Sequence, residues 1–196
     1  MTEELSEVSR FGAVRLDELP EDLRERIGAI AEKSGFVPHV FLALGHRPAE
    51  LRAFCDYHDA VMERDSGLSK AERELIVVAT SGANHCTYCV VAHGAILRIR
   101  AKDPHLADRV ATNPWSVELA PRQRAIVDLA LALAVEPGAF SGDDIEAARE
   151  AGLTDEEIWD VGAVTALFAL SNRMAHLMAL RPNEEFYLMG RVPKLG

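Results

Sequence analysis

Apolar residues recur along this chain at helical spacing, and short polar or proline-bearing stretches separate the runs. Pro20-Glu21 opens a segment with Leu23, Ile27 and Ile30 on one face, and Gly35 closes it. Pro38 to Leu44 reads as a short helix. Pro48 starts another, through Leu51, Phe54, Cys55, His58 and Met62 towards Gly67. Ser69-Lys70-Ala71-Glu72 has the form of a capping box before a helix that reaches about Ala83. Ser81-Gly82-Ala83-Asn84 then offers a break. With Asn84 as N-cap, the next helix runs from His85 to about Arg100. Asp103-Pro104 and Asn113-Pro114 punctuate the stretch after it. Pro121 to Val135 is strongly helical and ends at Pro137-Gly138. Ser141 caps a short amphipathic helix that stops at Gly152. A second capping box, Thr154 to Glu157, precedes a long apolar helix towards Leu180, stopped by Pro182.

Strand signals are weak. Ile76-Val77-Val78-Ala79-Thr80 is β-branched, but the capping box before it and the polar break after it favour helix. The chain therefore reads as one all-α domain of about eight helices over residues 1–196. Gly67-Leu68-Ser69-Lys70-Ala71-Glu72 resembles Gly152-Leu153-Thr154-Asp155-Glu156-Glu157, and each copy precedes a long apolar segment. Extending that register sets Ser171 opposite Cys86 and Met174 opposite Cys89. Residues 67–100 and 152–181 read either as a degenerate internal repeat or as two uses of a common way to stop one helix and cap the next.

Composition narrows the function classes. Of 196 residues, 48% are hydrophobic and 27% charged, which fits a globular protein and excludes a disordered chain. Asp plus Glu is 31 against 21 Lys plus Arg, for a formal charge of −10, so nucleic-acid binding is disfavoured. The longest apolar stretch, Val161 to Leu170, is far below the roughly 18 residues of a membrane helix. The acidic, polar segment from Met1 to Arg10 does not read as a signal peptide. Three cysteines exclude a disulfide-rich secreted scaffold, and the expected compartment is the reducing cytoplasm.

The chemistry-bearing stretch is Glu74 to His93. It reads Glu-x11-Cys-x2-Cys-x3-His, with Cys86, Cys89 and His93 on one helix face. A cysteine at a helix start meets free backbone N–H groups and the positive end of the dipole, which favour the reactive thiolate. If the chain folds back between Ala83 and Asn84, an antiparallel pair sets Glu74 beside His93. A carboxylate on an imidazole fixes its tautomer and raises its basicity, so the histidine can take a thiol proton. A thiolate attacking a peroxide becomes a sulfenic acid, a neighbouring thiol condenses with it, and an external dithiol resets the pair. A disulfide three positions apart on a regular helix is cramped. The Cβ atoms start roughly 5–6 Å apart against roughly 3.5–4.5 Å in the bond, so the first turn must loosen.

Three other readings of the same residues stand beside this one. A zinc site would use Cys86, Cys89, His93 and a fourth ligand such as His85. Structural zinc normally draws a second pair from a separate knuckle, and the chain has no second C-x-x-C. A thioredoxin-like site needs a βαβ pattern that is absent. The plainest reading is two buried cysteines on an apolar helix face beside a satisfied histidine.

These residues resemble the carboxymuconolactone decarboxylase-like superfamily, and within it the alkylhydroperoxidase D-like, peroxidase-related group. The glutamate, C-x-x-C and histidine have that group's spacing. The turn Ser81-Gly82-Ala83-Asn84-His85-Cys86-Thr87-Tyr88-Cys89 is similar too, as are Gly35 to Phe41, His46-Arg47-Pro48 and Asn172-Arg173. The resemblance implies an all-α bundle, assembled as a homo-oligomer (trimer or hexamer). It implies peroxide reduction or thiol-disulfide exchange without haem, flavin or metal, with a peroxide substrate and an external dithiol or protein reductant as partners. By position, Cys89 is the peroxidatic thiol, Cys86 the resolving one, and Glu74 and His93 the proton relay. Helix-start electrostatics alone favour Cys86 as the lower-pKa thiol. A non-catalytic redox sensor of the same fold is the alternative. One departure stands out: Tyr88 occupies the place of the histidine that precedes the family's second cysteine, and Tyr is a poor base near neutral pH. The decarboxylase branch generally lacks the Cys pair, so lactone decarboxylation is not expected.

The remaining candidates read as structural. Cys55 follows Leu51 and Phe54 on one face as a small core residue. His58 packs near Phe54 or lines a pocket. His39, His46, His105 and His176 have no visible partner, and His85 reads as solvated. Trp115 and Trp159 read as packing residues, Leu129 to Val135 as deep core or interface, and Arg98 and Arg100 as complements to the Cys-helix dipole.

Overall fold

The computed structural model describes residues 3–191. The described residues hold eleven α-helices and no strand. They are α1 (Glu3–Ser6), α2 (Glu21–Ser34), α3 (His39–Leu44), α4 (Pro48–Met62), α5 (Lys70–Ala83), α6 (Thr87–Ala101), α7 (Leu106–Thr112), α8 (Pro121–Val135), α9 (Gly142–Glu150), α10 (Asp155–Met178) and α11 (Glu184–Leu188). The all-α expectation holds. Three short helices, α1, α7 and α11, add to those the apolar pattern predicts.

Helix α5 is the axis of the molecule and packs against α6, α7, α8 and α10. Its ten residues from Glu72 to Ser81 are all buried. That resolves the strand-like run Ile76–Thr80: a helix enclosed on every side has no polar face to show a period of 3.6. The β-branched Thr80 is accommodated by donating its hydroxyl to the Ile76 carbonyl at 2.8 Å. Both capping boxes form, Ser69 with Glu72 and Thr154 with Glu157. Gly35 ends α2 in the left-handed conformation, as a glycine after a helix should.

Two boundaries move. Helix α4 stops at Met62 rather than near Gly67. Asn84 is the C-cap of α5, and Cys86, not Asn84, is the N-cap of α6. The turn between them is tight: Asn84 N–H returns to Thr80, His85 to Gly82, and Cys86 to Ser81 at 2.9 Å. His85 takes a left-handed φ of 54°. Gly82 is required here, since a Cβ would stand 2.6 Å from the Ala111 carbonyl oxygen of α7.

Two further expectations need correcting. Trp115 and Trp159 are not packing residues, being 69% and 73% exposed. Arg98 is more than a dipole complement. It is buried and donates to the Met189 and Phe186 carbonyls at 2.9 and 2.8 Å, which pins α11 to α6. None of the helices among the described residues is long and apolar enough to cross a membrane.

Candidate active site

The α5–α6 hairpin does what the mirror spacing of the sequence requires. His93 Nδ1–H donates to Glu74 Oε2 at 2.8 Å, with the two side chains 16% and 5% exposed. The carboxylate holds the proton on Nδ1 and leaves Nε2 as the exchanging nitrogen. The edge-to-face contact with Phe168 of α10, at 4.6 Å and 83°, fixes the ring further. His58 of α4 lies near enough for its pKa to be lowered, first by burial and then by His93.

Cys86 and Cys89 are free thiols, each 1% exposed. Cys86 sits at the N-cap with ψ of 94°, outside helical geometry, so the pair does not stand on a regular helical turn. Its sulfur accepts the Cys89 N–H at 3.5 Å. The Cys86 thiol is lowered to about 7. The Cys89 thiol donating to it is the main cause, helped by the Cys89 backbone N–H and by the nearby His176 and His93. Within the pair the lower pKa falls on Cys86. Cys89 moves upward, because it keeps the shared proton and is buried. Cys55, the third thiol, is pushed up to about 11 by burial and belongs to the core.

Helix α10 forms the other wall, and most of its contribution is invisible in the sequence. Ser171 Oγ lies 3.8 Å from Cys89 Sγ. The Ser81 hydroxyl donates to Asn172 Oδ1 at 3.0 Å, both residues being fully buried. His176 Nε2–H donates to the Asn84 carbonyl at 2.9 Å and so braces the turn that presents Cys86. The Asn172-Arg173 pair was the one available signal. The repeat register set Ser171 against Cys86; in space its hydroxyl contacts Cys89. His39 and His46, read as structural, bond to the Arg181 and Ala43 carbonyls.

Next to Ser171 opens a cavity of about 350 Å3, lined mainly by apolar side chains including Val40, Leu44, Phe54, Tyr88, Leu170 and Met174. Tyr88 is buried, and its hydroxyl accepts the Val40 N–H at 3.1 Å. Burial raises its pKa, so it cannot replace the family's histidine as a base. The zinc reading finds no support: His85 is exposed, and among the described residues no three His, Cys, Asp or Glu side chains gather to hold a metal.

The structure is thus an all-α bundle that carries a buried Cys-x-x-Cys at a helix start, with a Glu–His pair alongside. The model of the carboxymuconolactone decarboxylase family matches residues 48–132. The alkylhydroperoxidase AhpD core from Ralstonia eutropha JMP134, an uncharacterized peroxidase-related protein, is 57% identical. The match covers 95% of this chain and 98% of that one, with a TM-score of 0.93. An uncharacterized peroxidase-related protein from Silicibacter sp. TM1040 is 35% identical over 91% of this chain and 94% of that one, TM-score 0.86. The chain belongs to the carboxymuconolactone decarboxylase-like superfamily, in its alkylhydroperoxidase D-like group. The debrominase Bmp8 shares the fold at 16% identity, over 93% of this chain and 95% of that one, TM-score 0.75. No curated protein matches.

Proposed function

We propose that this protein is a cysteine-based hydroperoxide reductase that cycles through a Cys86–Cys89 disulfide. The observation that carries the reading is the 2.8 Å Glu74–His93 bond, one helical turn from a cysteine pair whose lower pKa falls on the helix-capping thiol. Cys86 attacks the terminal oxygen of the peroxide. The O–O bond breaks, Cys86 takes the hydroxyl as sulfenic acid, and the alkoxide leaves with a proton from the imidazole–carboxylate pair as the alcohol. Cys89 then closes the disulfide and water departs. An external dithiol reduces the disulfide and restores both thiols. This assigns the attacking role to Cys86, as the helix-cap electrostatics favour, and reverses the order carried over from the family by position.

The test is dithiol-dependent peroxide consumption, followed by stopped flow with hydrogen peroxide and an organic hydroperoxide. Cys86→Ser and Cys89→Ser each abolish turnover. Unchanged turnover in both variants removes the reading.

The second reading is a redox sensor of the same fold. It is favoured by the near-complete burial of both sulfurs and by Tyr88 standing where the family has a titratable histidine. It expects reversible oxidation of the pair with negligible turnover. Bmp8, a cysteine variant of which is solved with 2,3,4-tribromopyrrole, makes a halogenated pyrrole a useful further substrate in the same assay.

A further inference from the structure

Helix α10 leaves one narrow seam of its surface open. Trp159, Ala166 and Arg173 are exposed at intervals of seven, and Gly162, Ala163 and Leu170 lie between them. A seven-residue repeat keeps one line of a helix facing one way, and that line is where two helices pair. The seam carries bulky apolar groups that the chain does not cover with its own residues: Trp159 is 73% exposed and Leu170 55%. A hollow flanks each half of it. Beside the N-terminal half, one of about 550 Å3 is bounded by Ile158, Trp159 and Gly162 of α10 and Leu133 of α8. Beside the C-terminal half stands the cavity of about 350 Å3, bounded on α10 by Leu170, Ser171 and Met174.

The seam is its own complement when a second copy runs antiparallel across a two-fold axis at Ala166, because positions equidistant from Ala166 then meet. Ala166 meets Ala166. Leu170 falls over Gly162 and Ala163, large over small. Trp159 falls beside Arg173, whose guanidinium donates to the Ala169 carbonyl of its own helix and leaves its face for an indole. The acidic first turn with Asp155 and Glu156 comes over the end that carries Arg173 and His176, and the two helix dipoles oppose. Asp155 keeps Arg149 at 2.8 Å and Glu156 keeps Arg64 at 3.8 Å, so across the seam they supply a matching field, not new ion pairs. A parallel pairing would set Trp159 on Trp159 and acid on acid.

We propose that a second copy of this chain docks antiparallel along α10 about Ala166, and that the partner's Trp159 roofs the cavity beside Ser171, so that each thiol site is completed by the other chain. The side of the helix decides where the indole goes. Trp159 and Leu170 are eleven residues apart, close to three full turns, so both project from nearly the same line of α10. A two-fold axis perpendicular to the paired helices keeps that side and exchanges their ends. The partner's Trp159 therefore arrives at the level of Leu170 and Met174, over the 350 Å3 cavity and not over the hollow beside α8. The Ser171 hydroxyl in that cavity wall lies 3.8 Å from the Cys89 sulfur, so the roof stands one side chain away from the thiol pair. The inference follows from the shape of this face and does not depend on the peroxide reading.

Cross-linking reads the register and thiol labelling reads the roof. Ala166→Cys, oxidised with copper phenanthroline, runs at twice the chain mass on a non-reducing gel, against wild type as the background for the native thiols. Trp159→Cys/Arg173→Cys cross-links as well, while Trp159→Cys and Arg173→Cys alone do not. Within one helix these positions are roughly 21 Å apart, far beyond the roughly 7 Å that a disulfide spans, so the bond must join two chains. Ala166→Glu sets two carboxylates on the axis and halves the mass found by light scattering, with helicity by circular dichroism retained. Reduced Trp159→Ala and Ala166→Glu each label the Cys86–Cys89 pair with N-ethylmaleimide roughly tenfold faster than wild type, because labelling follows access. A wild-type monomer at micromolar concentration, or no cross-link in Ala166→Cys, overturns the proposal. Cross-links together with wild-type labelling in Trp159→Ala also overturn it, since the partner then adds nothing to the site. None of these readouts uses peroxide, so a failure of the reductase reading leaves them in force.

Discussion

Glu72 and Glu74 lie two residues apart on the same buried helix and serve opposite ends. Glu72 receives three donors: the Ser69 N–H at 2.8 Å, the Ser69 hydroxyl at 2.9 Å and Arg122 Nε at 2.9 Å. Arg122 also donates to Glu157 at 2.7 Å, so one guanidinium joins the N-termini of α5 and α10. Glu74 has one partner, His93, and that partner can gain or lose its own charge. A carboxylate saturated by a permanent cation and a capping box can only hold structure. A carboxylate matched to a single imidazole can pass on a change of protonation.

The sharpest test of that difference substitutes each glutamate in turn. Glu74→Gln lowers peroxide turnover by about 10²-fold, the usual contribution of a positioned acid–base group, with the thiols still titratable by alkylation. Glu72→Gln leaves turnover per folded molecule within about twofold and instead lowers the melting temperature by on the order of 5 °C. Equal losses of turnover in the two variants erase the distinction.

The two regions also separate along the pH axis. Reactivity follows the Cys86 thiolate, so its alkylation rate rises about tenfold per unit until pH passes about 7 and then levels. Stability at the other end follows Glu157, held down from its ordinary 4.5 to about 2, first by the Arg122 hydrogen bond. A depressed carboxylate stabilises the fold above pH 4.5 and loses that contribution as pH falls towards 2. Arg122→Met therefore unfolds at a higher pH on acid titration, with the alkylation profile near pH 7 unmoved. Arg122 is 35% exposed, so the shift is modest. A displaced alkylation profile would mean that the two ends are coupled.

Legibility in the sequence divides along the same line. The capping boxes, the hairpin register and the Glu74–His93 contact are local or mirror relations, readable from spacing along α5 and α6. Ser81–Asn172 and Ser171–Cys89 span 91 and 82 positions, and the faint repeat register between the two segments set Ser171 against Cys86, not Cys89. The N-cap was misplaced for a similar reason. Asn84 is the commoner capping residue, but the tight return of His85 and Cys86 onto α5 needs the chain to turn two residues later. The exposed Trp159 was misread because a bulky apolar residue is usually buried, and a single chain does not say which part of its surface stays open.

Tyr88 tests whether the rule of closed and open partners reaches the cavity. Its place in the motif suggests chemistry, since the family has a histidine there. Its contacts point the other way: the hydroxyl is buried and already accepts the Val40 N–H at 3.1 Å, which ties the start of α6 to α3. By the logic that separates Glu72 from Glu74, a hydroxyl whose partner is a fixed backbone N–H, not a group that changes charge, is structural. Tyr88→Phe then orphans one backbone N–H, which costs about 1–3 kcal/mol and lowers the melting temperature by a few degrees. Peroxide turnover stays within about twofold of wild type, because no proton in the cycle passes through the phenol. A tenfold loss of turnover at an unchanged melting temperature would return Tyr88 to the reacting groups, and the nature of the partner would no longer sort structural from chemical residues in this molecule.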